Sequence, residues 1–539
     1  MSNLAWLAGK LSRRRIASAT DRQLASLAEA PITASRRTVS ALLRTLAAEP
    51  GPHVDLGETA WGDPIAVPIA EFVKACGIAT GGMGSGKTMA AGLILKAMIA
   101  HFPRLRTMGC GLIDAKGELY DRLLYLLAAR LEELQGAERE ALLDRIVVID
   151  FSSRSAATSY NILCQPPYTD RDFFITSRLE TLRELLPAGE KLSLRGATVL
   201  KNVLSLLSEF GLPLTYLDGI LASEELRAKL IAKSKNPEVR FYFQHHFAQE
   251  GKQTIGALRA RMDSLFASEG VRLALSGTTA PDFRTLQNQG KIVLVNCAGP
   301  SITRGVRLLL QGLILSDIRQ SIFARPNNPP VNYWWVCDEA QNFFLTKQQQ
   351  DDMADILTMA RSFGSFFCFL CQNISTAVSD SRILEQLHTN IRWSLTLRGT
   401  PRDAQFLRAA LPVSGRRLRP DPQPFRERTA YSPDEERTLA LEGIAHLPDR
   451  TGYLWLKTRC SEAIKVVTRS LDLPEGEEFR QIIDRLREEP RLGRRISRSE
   501  YERLTLARDR EWLGMKEGSS DLGEQFERKY REESAAWRA

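Results

Sequence analysis

The chain has 539 residues, a formal net charge of +9 and the apolar and charged fractions of a globular protein that folds in water. This length exceeds one ordinary hydrophobic core, so two to four structural units are expected. No run of eighteen apolar residues occurs, and Leu4–Leu7 is too short for the apolar part of a secretory signal. Together with eight scattered cysteines, these observations predict a cytoplasmic protein with no transmembrane segment of its own.

The first part of the chain is basic. Residues 1–50 hold eight basic and three acidic side chains, with clusters at Arg13-Arg14-Arg15 and Arg36-Arg37. We predict a basic helical extension over residues 1–54. The composition fits an arm that contacts nucleic acid or a membrane surface, and it fits a solvated helical extension equally well.

Short and almost continuously apolar runs then recur along the chain, which is typical of strands buried on both faces of a parallel sheet. The predicted strands are 73–79, 107–113, 145–151, 291–297, 331–337, 365–371, 391–397 and 452–457. With helices covering both faces, they predict an α/β fold whose sheet domain is split into residues 55–164 and 286–469.

Two regions depart from this pattern. Residues 165–285 contain no convincing strand and show helical periodicity, as at Leu179, Leu182 and Leu185, which predicts an inserted all-α domain. Residues 470–539 hold fifteen basic and seventeen acidic side chains. They predict a charged helical C-terminal extension that buries little and faces a partner.

A complete phosphate-binding pattern, Gly-x-x-x-x-Gly-Lys-Thr, lies between an apolar run and a helix-forming run. Its residues are Gly81, Gly82, Met83, Gly84, Ser85, Gly86, Lys87 and Thr88. Glycines let backbone N–H groups surround a phosphate, Lys87 can reach the β- and γ-phosphates, and the Thr88 hydroxyl can ligate Mg²⁺. The order of strand, loop and helix places the helix N-terminus at the anion. The pattern predicts ATP and Mg²⁺ as ligands.

Two adjacent carboxylates, Asp338 and Glu339, end the apolar strand 331–337. Asp338 is predicted to complete the Mg²⁺ shell, and Glu339 to act as the general base for the attacking water. Gln372 ends the strand 365–371, where a sensor of the γ-phosphate is expected. Arg361 precedes that strand and, from spacing alone, either faces solvent or reaches a neighbouring subunit's nucleotide.

A further segment, Asp114-Ala115-Lys116-Gly117-Glu118-Leu119, also runs from a strand into charged residues. In isolation it indicates only a connection from a strand to a helix. The set of this segment, the phosphate loop, Tyr160-Asn161-Ile162-Leu163 and Val336-Cys337-Asp338-Glu339-Ala340 resembles the TraG/TraD-type coupling proteins of type IV secretion. The resemblance covers about residues 55–470, and that family belongs to the FtsK/HerA superfamily of ring-shaped motors.

The resemblance implies a RecA-like P-loop domain that forms a hexamer around a channel, with ATP bound between subunits and Arg361 acting in trans. Two features differ from the family. Many coupling proteins carry N-terminal transmembrane helices, which this sequence lacks, so either a partner supplies a link to the inner membrane or the protein works in the cytoplasm. Ala115 stands where the family usually has proline, which leaves the turn intact.

Basic residues that face such a channel would contact the DNA backbone without reading its sequence. The candidates, chosen because they lie near the domain junctions, are Lys252, Arg259, Arg261, Arg304 and Arg307. The function predicted is an ATP-driven hexameric DNA translocase with catalytic residues Lys87, Glu339, Arg361 and Gln372, working with a relaxase, an adaptor or secretion-channel proteins. The alternatives are a coupling ATPase for protein substrates, a HerA-like cytoplasmic motor for a nuclease or defence effector, and a nucleotide-bound scaffold without turnover.

Overall fold

The computed structural model describes residues 36–102, 104–153, 156–185, 192–372, 374–378, 380–413, 430–474, 476–487, 489, 491–492 and 495–513. The basic cluster at residues 13–15 and most of the predicted N-terminal extension lie outside these residues. So do residues 514–539 of the predicted C-terminal extension.

The strands are β1 (His53–Thr59), β2 (Pro64–Pro68), β3 (Gly77–Thr80), β4 (Met108–Asp114), β5 (Ile146–Asp150), β6 (Ala156–Thr158), β7 (Ile292–Asn296), β8 (Asn332–Cys337), β9 (Ser365–Cys371), β10 (Trp393–Leu397), β11 (Thr451–Leu456), β12 (Ile464–Thr468) and β13 (Arg495–Ser497). Eleven of them form one sheet in the order β2-β1-β12-β11-β10-β3-β9-β8-β4-β7-β5. Neighbours pair in parallel from β10 to β5 and antiparallel from β2 to β10.

The helices are α1 (36–48), α2 (Ile69–Val73), α3 (Lys87–His101), α4 (Glu118–Glu133), α5 (Gly136–Leu143), α6 (Arg171–Leu185), α7 (Leu194–Glu209), α8 (Leu217–Ala222), α9 (Glu224–Lys233), α10 (Pro237–His245), α11 (Lys252–Leu265), α12 (Glu269–Leu275), α13 (Phe283–Asn288), α14 (Arg304–Phe323), α15 (Lys347–Met359), α16 (Ile374–Ala377), α17 (Ser381–Asn390), α18 (Pro433–Gly443), α19 (Glu477–Arg487) and α20 (Arg498–Leu513). Among the described residues, none of these helices has the length and apolar character needed to span a bilayer.

The parallel part of the sheet is buried on both faces. In β9, Phe367 and Phe369 face one hydrophobic core, whereas Cys368 and Leu370 face the other. Helices α3 and α4 cover the second face, and α6, α7 and α14 contribute to the core on the first. Because both faces are covered, every position of such a strand is apolar, which is why the sequence shows continuous runs rather than alternation.

The prediction of an α/β fold with a mainly parallel sheet is confirmed. Seven of the eight predicted strands agree with observed strands to within two residues at each end. The prediction for 73–79 is wrong at its start, because Val73 ends α2 and β3 begins only at Gly77. The sequence missed β1, β2, β6, β12 and β13, which are short or, as in β1, carry exposed polar side chains at the antiparallel side of the sheet.

The described residues between 165 and 285 form helices α6 to α12 and contain no strand. A buried polar cluster fixes these helices to the sheet domain. Arg178 of α6 donates from Nε to the Ile162 carbonyl (2.8 Å) and forms an ion pair with Asp317 of α14. The Tyr160 hydroxyl donates to the same carboxylate (2.5 Å). The Tyr-Asn-Ile-Leu motif of the sequence therefore anchors the helical region.

The described part of the segment after β12 includes a helix that belongs to the core. Helix α19 packs on α4, where the ring of Phe479 stacks on Tyr125 with centroids 5.3 Å apart. Ile483 and Leu486 of α19 are buried in the core beneath it. The charge count of residues 470–539 hid this burial, because the few apolar side chains of α19 all lie on one face.

The same segment then reaches the helical region. Strand β13 pairs antiparallel with β6, and α20 follows it directly. Trp512 of α20 packs edge-on against Phe210, the C-cap of α7, with ring centroids 5.3 Å apart. The Lys233 Nζ lies 4.8 Å from the centroid of the Trp512 ring. The C-terminal segment thus ties the α4 face of the sheet domain to the helical region.

We predict that Ile483→Ala lowers the free energy of unfolding by about 2–5 kcal/mol, the usual cost of truncating a buried isoleucine. Denaturant unfolding of the full chain measures it. Arg485→Ala on the exposed face of α19 is the matched control and should change stability by no more than about 0.5 kcal/mol. Equal small effects of both variants would show that α19 is not part of the core.

Candidate active site

The phosphate loop has the backbone that its glycines allow. Gly81, Gly84 and Gly86 have φ angles of 155°, 72° and 106°, a region that side chains disfavour. A Cβ on Gly81 would lie 2.6 Å from the Ser85 hydroxyl oxygen, so no larger residue fits there without rearrangement. The loop ends at Gly86, the N-cap of α3, and no side chain caps that helix. Its first N–H groups therefore remain available to an anion.

The loop that follows β10 packs against the phosphate loop. The N–H of Gly82 donates to the Arg398 carbonyl (2.6 Å), just beyond the end of β10. A Cβ on Gly399 would lie 3.2 Å from Cα of Gly81, so the two backbones are in close contact. This contact depends on the parallel pairing of β3 and β10, which no local sequence pattern indicates.

Lys87 lies folded over the loop. Its Nζ donates to the carbonyls of Gly81 (2.6 Å) and Gly82 (2.8 Å). Burial lowers the pKa of Lys87, although the nearby Glu339 acts in the opposite direction. Thr88 follows as the second residue of α3 and is half-buried. Lys87, the predicted phosphate ligand, and Thr88, the predicted metal ligand, thus both lie at the carboxyl end of β3.

Asp338 and Glu339 follow β8, which is separated from β3 by β9 alone. Asp338 is buried, and its N–H donates to the Ile113 carbonyl of β4 (2.9 Å). Burial, together with the charges of Asp114 and Glu339, raises the pKa of Asp338 to about 8. Glu339 has a φ of 49°, a strained backbone for a residue with a side chain, and strain of this kind is concentrated at functional sites.

Lys116 is a site residue that the sequence analysis did not select. Its ammonium forms an ion pair with Glu339 Oε1. Burial lowers the pKa of Lys116, but the hydrogen bond and charge of Glu339 outweigh it, so the net pKa is raised. Asp114 fixes the turn that presents Lys116, because its carboxylate accepts the N–H groups of Lys116 (2.7 Å) and Gly117 (2.8 Å). The Asp-Ala-Lys-Gly segment was the available signal.

Gln372 and Gln341 complete the surroundings of Glu339. Gln372 Nε2 donates to Glu339 Oε1 (2.7 Å), and its backbone N–H donates to the Gln341 side-chain oxygen (3.3 Å). The amide of Gln341 also donates to Glu339 Oε2. Gln341 lies in the 3₁₀ helix Ala340–Phe344, and nothing in the sequence marked it. The two glutamines and Lys116 fix the position of the Glu339 carboxylate.

Arg361 is not part of this cluster. It lies in the 3₁₀ helix Ala360–Phe363, ahead of β9, and is exposed. The phosphate loop and Gln372 lie at the other end of the parallel strands, roughly 20 Å away for a strand of seven residues. Arg361 therefore cannot serve the phosphate loop of its own chain.

The five candidate DNA contacts lie on α11 and α14. Lys252 and Arg304 begin these helices and are exposed. Arg259 forms an ion pair with Asp218 at 2.5 Å. Arg261 donates to the Ala257 carbonyl (3.1 Å) of its own helix, and the Nε of Arg307 is buried without a hydrogen-bond partner among the described residues. Lys252 and Arg304 are the most accessible of the five.

The site fits a phosphorylated ligand with a divalent cation. The buried hydroxyl of Ser85 has no hydrogen-bond partner in the described structure, and the Lys87 ammonium bonds only carbonyls of its own loop. Asp338 is a buried acid whose raised pKa reflects too little compensating positive charge. A divalent cation would supply that charge, and carboxylate and hydroxyl oxygens are its preferred ligands. These residues form a nucleotide site of the P-loop class.

No protein-family model matches the chain, and no curated protein matches it. Its fold is similar to several solved structures. The bacterial conjugative coupling protein TrwBdeltaN70 has 15% identity and a TM-score of 0.47, with 81% of this chain and 93% of that chain covered. The plasmid coupling protein TrwB in complex with ADP and Mg²⁺ has 14% identity and a TM-score of 0.47, covering 81% and 94%. VirB4 of Thermoanaerobacter pseudethanolicus has 13% identity and a TM-score of 0.47, covering 80% and 99%.

We predict that Asp338→Asn stabilises the protein in the absence of nucleotide and Mg²⁺, and that the gain increases with pH. The folded pKa of Asp338, about 8, lies above its ordinary value of 3.8. Proton uptake by Asp338 therefore favours folding at low pH, and this contribution is lost as pH rises through about 8. Thermal unfolding between pH 5 and pH 9 measures the difference, with Glu132→Gln on the exposed side of α4 as the control. A difference that does not vary with pH would contradict the prediction.

Proposed function

We propose that this chain binds ATP with Mg²⁺ and hydrolyses it, and that as a hexamer it couples hydrolysis to the movement of DNA. The observation that carries the hydrolytic part is the Glu339 carboxylate. It lies next to the phosphate loop and is held by Lys116, Gln341 and Gln372. A nucleotide-bound scaffold without turnover has no need of a carboxylate positioned in this way.

Each residue of the site has a distinct part in this proposal. The loop N–H groups and Lys87 bind the phosphates, and Thr88 and Asp338 hold the cation. Mg²⁺, when bound, offsets the negative charge that develops on the phosphate oxygens. Glu339 orients the attacking water and takes its proton, which a carboxylate fixed by three side chains can do without first reorganising.

Gln372 connects Glu339 to the end of β9. It donates to the same carboxylate oxygen, Oε1, that pairs with Lys116. Gln372 is half-buried, so its amide can exchange this partner for a phosphate oxygen. A γ-phosphate sensor in this position would report occupancy of the site through the orientation of Glu339 and the end of β9.

Arg361 supports assembly into a ring. It is exposed at the amino ends of the parallel strands, whereas its own phosphate loop is at their carboxyl ends. An arginine so placed can complete the nucleotide site of an adjacent subunit, where it would stabilise charge in the transition state. The resemblance to TraG/TraD-type coupling proteins supports the same arrangement, with the nucleotide at a subunit boundary of a hexamer.

DNA is proposed as the cargo because of the net charge of +9, the exposed Lys252 and Arg304, and the family resemblance. Such contacts neutralise phosphates and do not depend on base sequence. In this setting the partners are a relaxase, an adaptor or a secretion-channel protein, and these supply any recruitment to the inner membrane.

The test of the proposed function is the ATPase rate of the full chain with single-stranded, double-stranded or no DNA at two salt concentrations. We predict that DNA stimulates turnover, that higher salt weakens the stimulation, and that Lys252→Ala with Arg304→Ala reduces it. Glu339→Gln should bind nucleotide but lose turnover at least about 100-fold, which also controls for contaminating ATPases. Turnover that no form of DNA alters would reject DNA as the cargo and favour a protein substrate.

The role of Arg361 in trans is tested by mixing two inactive variants. Arg361→Ala and Glu339→Gln should each lose most turnover, but mixed rings contain boundaries that join an intact Arg361 to an intact Glu339. We predict that co-assembly restores turnover. Arg361→Ala mixed with the Arg361→Ala/Glu339→Gln double variant has no such boundary and should stay inactive. Mixed hexamers that form but remain inactive would contradict a role in trans.

A further inference from the structure

Arg450 is held against the phosphate loop through its backbone. Its N–H donates to the Ser85 carbonyl (3.0 Å) inside the loop. Its carbonyl accepts both the N–H (2.8 Å) and the hydroxyl (3.2 Å) of Thr468 at the end of β12. Arg450 therefore joins the antiparallel part of the sheet to the phosphate loop, although it is far from that loop in sequence.

The backbone of Arg450 is strained. Its φ is 62°, and only Asn328 and Glu339 share positive φ among the described residues other than glycine. Glycine adopts this conformation without strain, and asparagine tolerates it better than a long side chain does. A strained backbone at an arginine next to a ligand loop is a reason to ask what the side chain does.

The side chain of Arg450 lies over the start of α3. Its Cγ is 3.1 Å and its Cβ 3.6 Å from the position that a Cβ on Gly86 would take. The residue is exposed, and its guanidinium has no hydrogen bond or ion pair with any described residue. By contrast Arg398, on the loop that supports Gly82, is paired with Asp449 at 2.6 Å. Asp449, the acid that precedes Arg450 in the sequence, is thus already engaged by another arginine.

The Arg450 side chain starts beside the uncapped N-terminus of α3, and its guanidinium pairs with no described residue, which favours an anionic ligand. The two arms of a guanidinium match two oxygens of one phosphate group, which makes arginine suited to phosphate recognition. We propose that Arg450 binds a phosphate of the nucleotide held by its own subunit, as a cis counterpart to Arg361. The inference rests on the proposed nucleotide site and adds a ligand that the phosphate-loop motif does not contain.

The strained backbone provides the key variant. Arg450→Gly removes the guanidinium and relieves the positive φ, so affinity and stability should change in opposite directions. We expect Arg450→Gly to bind ADP at least about tenfold more weakly in calorimetry, with an unchanged or higher melting temperature. Arg450→Lys should retain part of the affinity. Arg469→Ala, an exposed arginine paired with Asp55, is the matched control and should bind ADP normally.

Inorganic tripolyphosphate separates phosphate from nucleoside contacts. Arg450→Gly should weaken tripolyphosphate binding as well, whereas a loss confined to ADP would overturn the assignment to phosphate. Unchanged ADP affinity together with weaker hexamer assembly would show that Arg450 pairs with a neighbouring subunit, and would also overturn it. If wild-type protein binds no ADP, the proposed nucleotide site itself fails. Suppose instead that the wild-type protein binds ADP and the Lys87→Ala variant does not. If Arg450→Gly then binds ADP as tightly as wild type, only the inference on Arg450 fails.

Discussion

The parallel pairing of β3, β9, β8 and β4 is the constraint on which the rest of the site depends. Parallel neighbours place their carboxyl ends at one edge of the sheet, so the residues that follow four separate strands meet there. The phosphate loop follows β3, Gln372 follows β9, Glu339 follows β8, and Lys116 follows β4. The same pairing puts Arg361 at the opposite edge, because it precedes a strand instead of following one.

The charged side chains at the carboxyl ends of these strands destabilise the folded protein but are suited to catalysis. Asp338 is buried next to two other acids, and Lys87 is buried among its own loop carbonyls. Neither arrangement is favourable without a ligand, since a buried charge needs a partner. Glu339 and Arg450 add strained backbones in the same small region. Natural proteins concentrate such local conflicts at functional sites, while the surrounding core supplies the compensating stability.

The helical region shares a hydrophobic core with one face of the sheet, and two further connections among the described residues strengthen this attachment. One is the buried cluster of Tyr160, Arg178 and Asp317, which joins α6 to α14. The other is the C-terminal segment, which crosses α4, adds β13 beside β6 and ends with Trp512 against α7. A change in the position of α4, which begins directly after Lys116 and Gly117, can therefore reach α19 through packed side chains, and the chain continues from α19 towards β13 and α20 in the helical region.

The sequence by itself determined the parallel strands, the phosphate loop and the acidic pair, because these depend on local composition and on fixed spacing. It also marked Gln372 and Arg361 as candidates at opposite ends of the strand 365–371, but it left open whether Arg361 faces solvent or a neighbouring subunit's nucleotide. Tertiary structure decided that Lys116, Gln341 and Arg450 lie at the site, since strand pairing or a turn brings each of them there. Of the three, only Lys116 had a sequence signal, in its Asp-Ala-Lys-Gly segment. Tertiary structure also decided that α19 belongs to the core, because the burial of its apolar side chains depends on the face of α4 against which it packs.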